Sequence, residues 1–283
     1  MVKRPSQNAR HFRVGQTTWP LGQRTYIMGI LNVTPDSFSD SGRYTAPDIA
    51  VAQAEKLFAD GADIVDIGGE STRPGYVPVT LDEEWDRLRP VLTACARKGI
   101  GPISVDTQKA EIARRALDEG TSVINDVSGL ADPQMAKVLQ ASLCGYVLMY
   151  HPQGAVGETV SIEGMYRWLK TRLSQLSQAG VEVERVLIDP GLGFAYGVEA
   201  NWAVIAELPA LLGLGAGLLV GPSRKRFLAM VSTQPASERD AATAAISALL
   251  ATQGVDVVRV HHVAMVKEAV AVADRLVEAS HRG

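Results

Sequence analysis

The sequence predicts an α/β protein built as a single (β/α)8 TIM barrel, and three observations predict it. Eight short apolar runs rich in β-branched residues alternate with eight longer amphipathic stretches. Strict alternation requires parallel neighbours, because parallel strands are joined only by long crossover connections, and a count of eight favours a closed barrel over an open sheet. No Pro- or Ser-rich linker divides the 283 residues, which suits one barrel of about 250 residues with an extension.

Residues 1–24 precede the first strand and read as an N-terminal extension or barrel plug, leaving 25–283 as the barrel domain. The first strand, 25–33, is apolar except for Asn32; a long polar segment, 34–42, separates it from a helix over 47–60 that stops at Asp60-Gly61. The second strand, 62–69, ends in Gly68-Gly69 before Glu70 and a second long loop, 70–75. A helix over 81–98 leads to the third strand, 102–107, which carries Asp106. The next helix, 109–119, stops at Glu119-Gly120, and the fourth strand, 122–127, contains Asn125-Asp126. Helix 133–142 precedes the fifth strand, 145–150, which runs into His151. Helix 163–179 closes at Ala179-Gly180, and the sixth strand, 185–189, ends on Asp189. Helix 198–207, strand 218–221, an extra turn near 225–237 and helix 238–253 come next. The eighth strand, 255–260, carries Arg259 just before His261, and helix 265–279 completes the count. Glycine just past a helix end is a common stop, since it takes the left-handed conformation freely.

Composition excludes several classes. A net charge of −3 with mixed signs argues against a nucleic-acid binder. The longest apolar stretch, 211–220, is interrupted by glycines, and a spanning helix needs about 20 apolar residues. The basic N-terminus lacks the apolar core of a secretory signal. Cys95 and Cys144 offer neither a disulfide framework nor metal-ligand spacing. The expectation is a soluble cytoplasmic protein with no membrane or nucleic-acid partner.

Polar groups inside or just after the strands point to a site, because buried strands seldom carry them without partners and barrel enzymes assemble their chemistry at the C-terminal strand ends. The plainer alternative is rim residues that cap helices. Period-2 geometry puts Arg259 and His261 on one side of the last strand and His262 on the other. Arg73, alone among small residues, suits an oxyanion, and Arg259 and His261 add donors for a phosphate-like group. Asn32 and the aspartates of the first loop suit a hard cation such as Mg²⁺ bridging phosphates. Asp106, Asn125 and Asp189 supply what a planar nitrogen heterocycle with NH and NH₂ edges needs. Gly221-Pro-Ser-Arg-Lys225 reads as an anion site at the start of a helix, and the glycines of 191–197 have the wrong spacing for a dinucleotide fingerprint.

The segments GILNVTPDSFSDSG, DIGGESTRPG, ISVDT, INDVSGL, IDPGLGF, GPSRK and RVHHV, in this order, resemble the dihydropteroate synthase family over roughly residues 25–265. The resemblance implies a homodimeric barrel that condenses 6-hydroxymethyl-7,8-dihydropterin diphosphate with para-aminobenzoate in folate synthesis, releasing diphosphate before the aniline nitrogen attacks. It also implies that Asp106, Asn125, Asp189 and Lys225 bind the pterin, with Met149 and Phe194 near its faces. Asn32, Thr72, Arg73, Arg259 and His261 would surround the diphosphate and Mg²⁺, with Asn32 as metal ligand. Phe38, Pro74 and Ser223 would border the para-aminobenzoate. Catalytic roles fall to Asp40, Lys225, Arg259 and His261.

Four places depart from the family pattern. His262 stands where an aspartate is common, and Tyr150-His151 precedes an apparent extra residue. Ala195-Tyr196 replaces a glycine-lysine pair, and Arg226 replaces a serine. The alternatives are a corrinoid-linked methyltransferase barrel, which should lack the two long loops and the Ser-Arg-Lys cluster, and a non-catalytic pterin-binding protein.

Overall fold

Eight parallel strands hydrogen-bond in sequence order and close on themselves, the last pairing with the first. The computed structural model describes residues 10–34, 46–71, 77–151, 160–194 and 196–281. Among the described residues a two-stranded hairpin, β1 (His11–Val14) and β2 (Thr17–Pro20), precedes the barrel. The barrel then runs β3 (Tyr26–Asn32), α1 (Ala46–Asp60), β4 (Ile64–Gly68), α2 (Leu81–Lys98), β5 (Ile103–Asp106), α3 (Ala110–Asp118), β6 (Val123–Asp126) and α4 (Met135–Gln140). It continues through β7 (Gly145–Met149), α5 (Ile162–Gln178), β8 (Val186–Asp189), α6 (Val198–Glu207), β9 (Gly217–Val220), α7 (Asp240–Thr252), β10 (Val257–Val260) and α8 (Val263–His281). The strand count, the parallel order and the alternation are those the sequence predicts. Gly61, Gly120 and Gly180 have positive φ at the expected helix stops.

Strand parity divides the core. Outward residues such as Ile67, Val105, Ile124, Ile188 and Val258 pack beneath the helices. Inward residues of the lower half, among them Met28, Ile64, Val123, Val147, Leu187, Leu219 and Val257, form a separate apolar cluster inside the barrel. Two residues further along the same inward faces the side chains turn polar: Asp66, Asn125, Asp189 and Arg259.

The hairpin supplies the lower boundary. Phe12, Val14 and Leu21 are buried in the inner apolar cluster, and Trp19 stacks on Tyr26 with ring centroids 4.3 Å apart. Arg10 fixes it to the barrel through two bonds to Asp256, at 2.9 and 3.1 Å, and Gly15 N donates to Ser122 O. Its strands are legible as an alternation, His11-Phe-Arg-Val14 and Thr17-Thr-Trp-Pro20, around a glycine turn. The crossover pattern on its own assigns no strands to 1–24.

Helix limits mostly fall within two residues of expectation. The fourth helix is shorter than 133–142, because Asp132 accepts from Gln134 N and from Ala110 N and so holds its approach as a turn. The extra turn before α7 is a 3₁₀ stretch, Arg226–Met230, with another over Ala236–Glu238. Among the described residues no helix is long and apolar enough to cross a membrane. Cys95 and Cys144 are both buried and unbridged.

Candidate active site at the mouth of the barrel

The parallel register sets Asn32 beside Gly68, Gly68 beside Asp106 and Asp106 beside Asn125. Since Asn32, Gly68, Asp106 and Asn125 share the inward face, two amides and a carboxylate meet around a glycine that adds no bulk. Asp66 lies one inward layer below, opposite Ser104. Its Oδ2 accepts from Asn125 Nδ2 at 2.9 Å and from Arg259 Nε at 2.6 Å. Arg259 Nη2 also donates to Asp106 Oδ2 at 2.9 Å. Buried Asp66 Oδ1, Ser104 Oγ and Asp106 Oδ1 find no partner among the described residues. Unpaired buried acceptors of this kind are costly unless something donates to them.

Next around the barrel, Met149 pairs in register with Asp189 and is buried beside it. Asp189 Oδ1 accepts from Gly191 N at 2.8 Å, which ties the loop after β8 to the carboxylate. That loop carries Phe194, whose ring lies 3.7 Å beneath Lys225 Nζ, a cation–π arrangement.

Burial dominates the electrostatics. It pushes the Asp106 carboxyl up to about 7, with Arg259 pulling it down and Asp66 raising it further. Burial likewise pushes Asp189 up to about 6 against the Gly191 N–H, Lys225 and Arg259. Three inward carboxylates thus face two cations, a floor that favours a ligand rich in N–H donors.

A family model described as "Pterin binding enzyme" matches residues 28–261. A dihydropteroate synthase of Synechocystis is 41% identical over 271 residues, covering 93% of this chain and 94% of that protein. The chain belongs to the dihydropteroate synthase family. Among solved structures, a dihydropteroate synthase from Xanthomonas albilineans with 4-aminobenzoic acid superposes with a TM-score of 0.90 at 37% identity, covering 95% of this chain and 98% of that one. The same organism's enzyme in complex with 7,8-dihydropteroate gives 0.85 at 35% identity over 94% and 98%.

Dihydropteroate synthase motifs map onto this mouth with some differences. Asp106, Asn125, Met149, Asp189, Phe194 and Lys225 converge. His261 stands at the rim, its backbone N donating to Ser223 Oγ at 3.2 Å and its Nδ1 lying 2.8 Å from that oxygen. Ser223 is therefore tied to His261. Arg259 reaches down to the floor: its guanidinium lies on Asp66 and Asp106, because without it two buried carboxylates would face each other uncompensated. Phe38, Asp40, Thr72, Arg73, Pro74 and the departure Ala195 lie outside the described residues.

The helix-start anion site expected at residues 221–225 does not form. Beyond Lys225 the chain enters a five-residue 3₁₀ turn. Arg224 N donates to Thr243 Oγ1, and its guanidinium is taken by Asp240 through bonds of 2.9 and 2.8 Å. Of that cluster Lys225 reaches the mouth.

Other departures prove local. His262 is exposed, and its Nδ1 accepts from Met265 N at 3.3 Å in the first turn of α8, pointing away as parity requires. Tyr196 is buried and donates to Pro190 O at 2.9 Å, bracing the loop that presents Phe194. Arg226 is exposed.

Two groups are not singled out by strand-end polarity. Asp66 could have been found as a lone charge inside Ile64-Val-Asp-Ile-Gly68, a strand buried on both faces. Lys109 joins Glu70 at 2.8 Å to fully buried Glu84 at 2.6 Å, while Glu70 Oε1 also accepts from Val79 N. Glu84 lies on the same buried face of α2 as Leu88 and Leu92.

Proposed function

We infer that this chain is a dihydropteroate synthase: it joins 6-hydroxymethyl-7,8-dihydropterin diphosphate to para-aminobenzoate, giving 7,8-dihydropteroate and diphosphate. The observation that carries the reading is the floor of the mouth, where Asp106, Asn125 and Asp189 meet with an unpartnered Asp106 oxygen at an apolar-walled end.

Asp106 and Asp189 are suited to accept N–H bonds from the pterin, with Asn125 completing its polar edge and Met149 and Phe194 flanking its faces. Lys225 and His261 lie nearer the opening, where they can donate to the pterin oxygen and to the departing diphosphate. No described side chain stands as a nucleophile over this floor. The chemistry it suits is dissociative: the C–O bond breaks with its electrons leaving on diphosphate, and the aniline nitrogen then forms the C–N bond and gives up a proton. The buried carboxylates stabilise the positive charge that develops on the pterin, an electrostatic contribution set up before the reaction starts.

Asn32 fits a role in holding Mg²⁺. Its inward-facing amide sits at the rim above Gly68, and Mg²⁺ bound to substrate phosphates needs only one or two protein oxygens, keeping water for the rest. Bound there it would neutralise charge on the leaving diphosphate. Among the described residues no group of three His, Cys, Asp or Glu could hold a metal without the substrate. Family membership further supports a cytoplasmic homodimer acting on small molecules, with no nucleic-acid or membrane partner.

The decisive assay follows diphosphate release with each substrate alone and with both. Sustained release with both substrates, and at most a single slow turnover's worth with the pterin diphosphate alone, is the expected result. Pterin binding without release identifies a non-catalytic binder instead.

A further inference from the structure

Asp66 is fully buried midway along β4, and it touches two binding residues that reach it from separate strands, Asn125 on β6 and Arg259 on β10. Both bonds fall on one oxygen, Oδ2, at 2.9 and 2.6 Å. Arg259 uses Nε for Asp66 and a second nitrogen, Nη2, for Asp106. A pterin N–H can therefore donate to Asp106 Oδ1 while Nη2 stays on Oδ2, provided the guanidinium keeps its place. If Asp106 were the guanidinium's sole anion, Arg259 could turn two donors onto that carboxylate and cover Oδ1 as well. Asp66 prevents this, because it holds Nε and leaves a single bond to Asp106 Oδ2. The same oxygen takes one amide proton of Asn125, which fixes which way round the amide sits and leaves its carbonyl and second N–H for a ligand.

We propose that Asp66 is a positioning residue of the pterin site, retaining Arg259 by Nε and orienting Asn125 so that Asp106 Oδ1 stays open to the heterocycle. The proposal rests on the pterin-site reading given under Proposed function. Asp66 itself lies a layer below the ligand, so its effect passes through the other two residues.

Calorimetric titration with 6-hydroxymethylpterin tests it on wild type, Asp66→Asn, Asn125→Ala and the double variant. Asp66→Asn keeps the shape and removes the charge; it should bind at least about tenfold more weakly with its melting temperature close to wild type. The double variant should lose less than the product of the two single fold-changes, the mark of residues acting through one another. Wild-type affinity in Asp66→Asn, or losses that simply multiply, would overturn the proposal. Should Asp66→Asn not fold, wild-type protein labelled at arginine nitrogen answers the question. A slowly exchanging Arg259 Nε–H both before and after pterin addition is the expected result, and loss of that protection on binding refutes it. If wild type itself fails to bind the pterin, the functional reading falls first, and the role of Asp66 with it.

Discussion

Gly193 and the stem of Lys225 are in contact: a Cβ built on Gly193 would fall 2.9 Å from Lys225 Cδ and 3.4 Å from its Cγ. Gly193 also has a φ of +77°, in the left-handed region. Backbone and neighbour both require glycine here, and the lysine so confined ends over the Phe194 ring. The loop after β8 thus sets the height at which Lys225 stands above the floor.

Gly193→Ala should therefore lower the melting temperature, since a left-handed alanine costs about 1 kcal/mol or more, and raise KM for the pterin substrate by displacing Lys225. Gly197→Ala is the control, with φ of −61° and nothing within 4 Å of a new Cβ. Thermal melting and steady-state kinetics on both variants check this; a wild-type KM in Gly193→Ala contradicts it.

Asp106→Ala and Asp189→Ala should each weaken pterin binding while the barrel still folds. Leaving one ligand N–H unpaired costs about 1–3 kcal/mol, or roughly 5- to 150-fold in affinity. Calorimetry that finds wild-type affinity in both variants removes these carboxylates from the site.

Burial puts Asp189 at about 6 and Asp106 at about 7, against roughly 3.9 for an unfolded aspartate. Between those limits the folded state holds more protons than the unfolded one. The stability these two groups contribute is fully present below about pH 4 and is lost as pH rises through 6 to 7. On the pterin-site reading, pterin affinity should run the other way, because the ionised carboxylate is the stronger acceptor. Asp189→Asn, which cannot titrate, should gain in melting temperature relative to wild type as pH rises from about 4 to 6, and the gain should level off above that. A difference that stays constant with pH counts against the assignment.

Arg259→Lys keeps a charge but cannot serve Asp66 and Asp106 from two fixed nitrogens. The expected outcome is a loss of about 1–3 kcal/mol in stability together with a lower kcat/KM for the pterin diphosphate. Kinetic impairment with an unchanged melting temperature would place the guanidinium at the leaving group instead of the floor.

The barrel is legible because its two periods are local: alternating strand residues such as Ile64, Val65 and Asp66, and helix stops such as Gly120, are written in neighbouring positions. Strand-end polarity likewise brings Asp106, Asn125 and Asp189 forward together. The hidden part depends on contacts across the barrel. Arg259 lies 193 residues from Asp66 in sequence, so its preference for the floor cannot be read from its own strand. Arg224 resembles an anion ligand until Asp240, on the next helix, claims it. The hairpin escapes because a search for crossovers has no place for an antiparallel pair.

Sealing of the barrel by Phe12, Val14 and Leu21 has a kinetic consequence. Among the described residues the hairpin closes the lower end, so on the functional reading two reactants and two products share the mouth. If the deepest acceptors, Asp106 and Asp189, hold the pterin, it should pass before the aromatic amine arrives, and once joined to the amine it should leave after diphosphate has cleared the rim. Such a queue is first in, last out: the pteroate product should compete directly with the incoming pterin diphosphate.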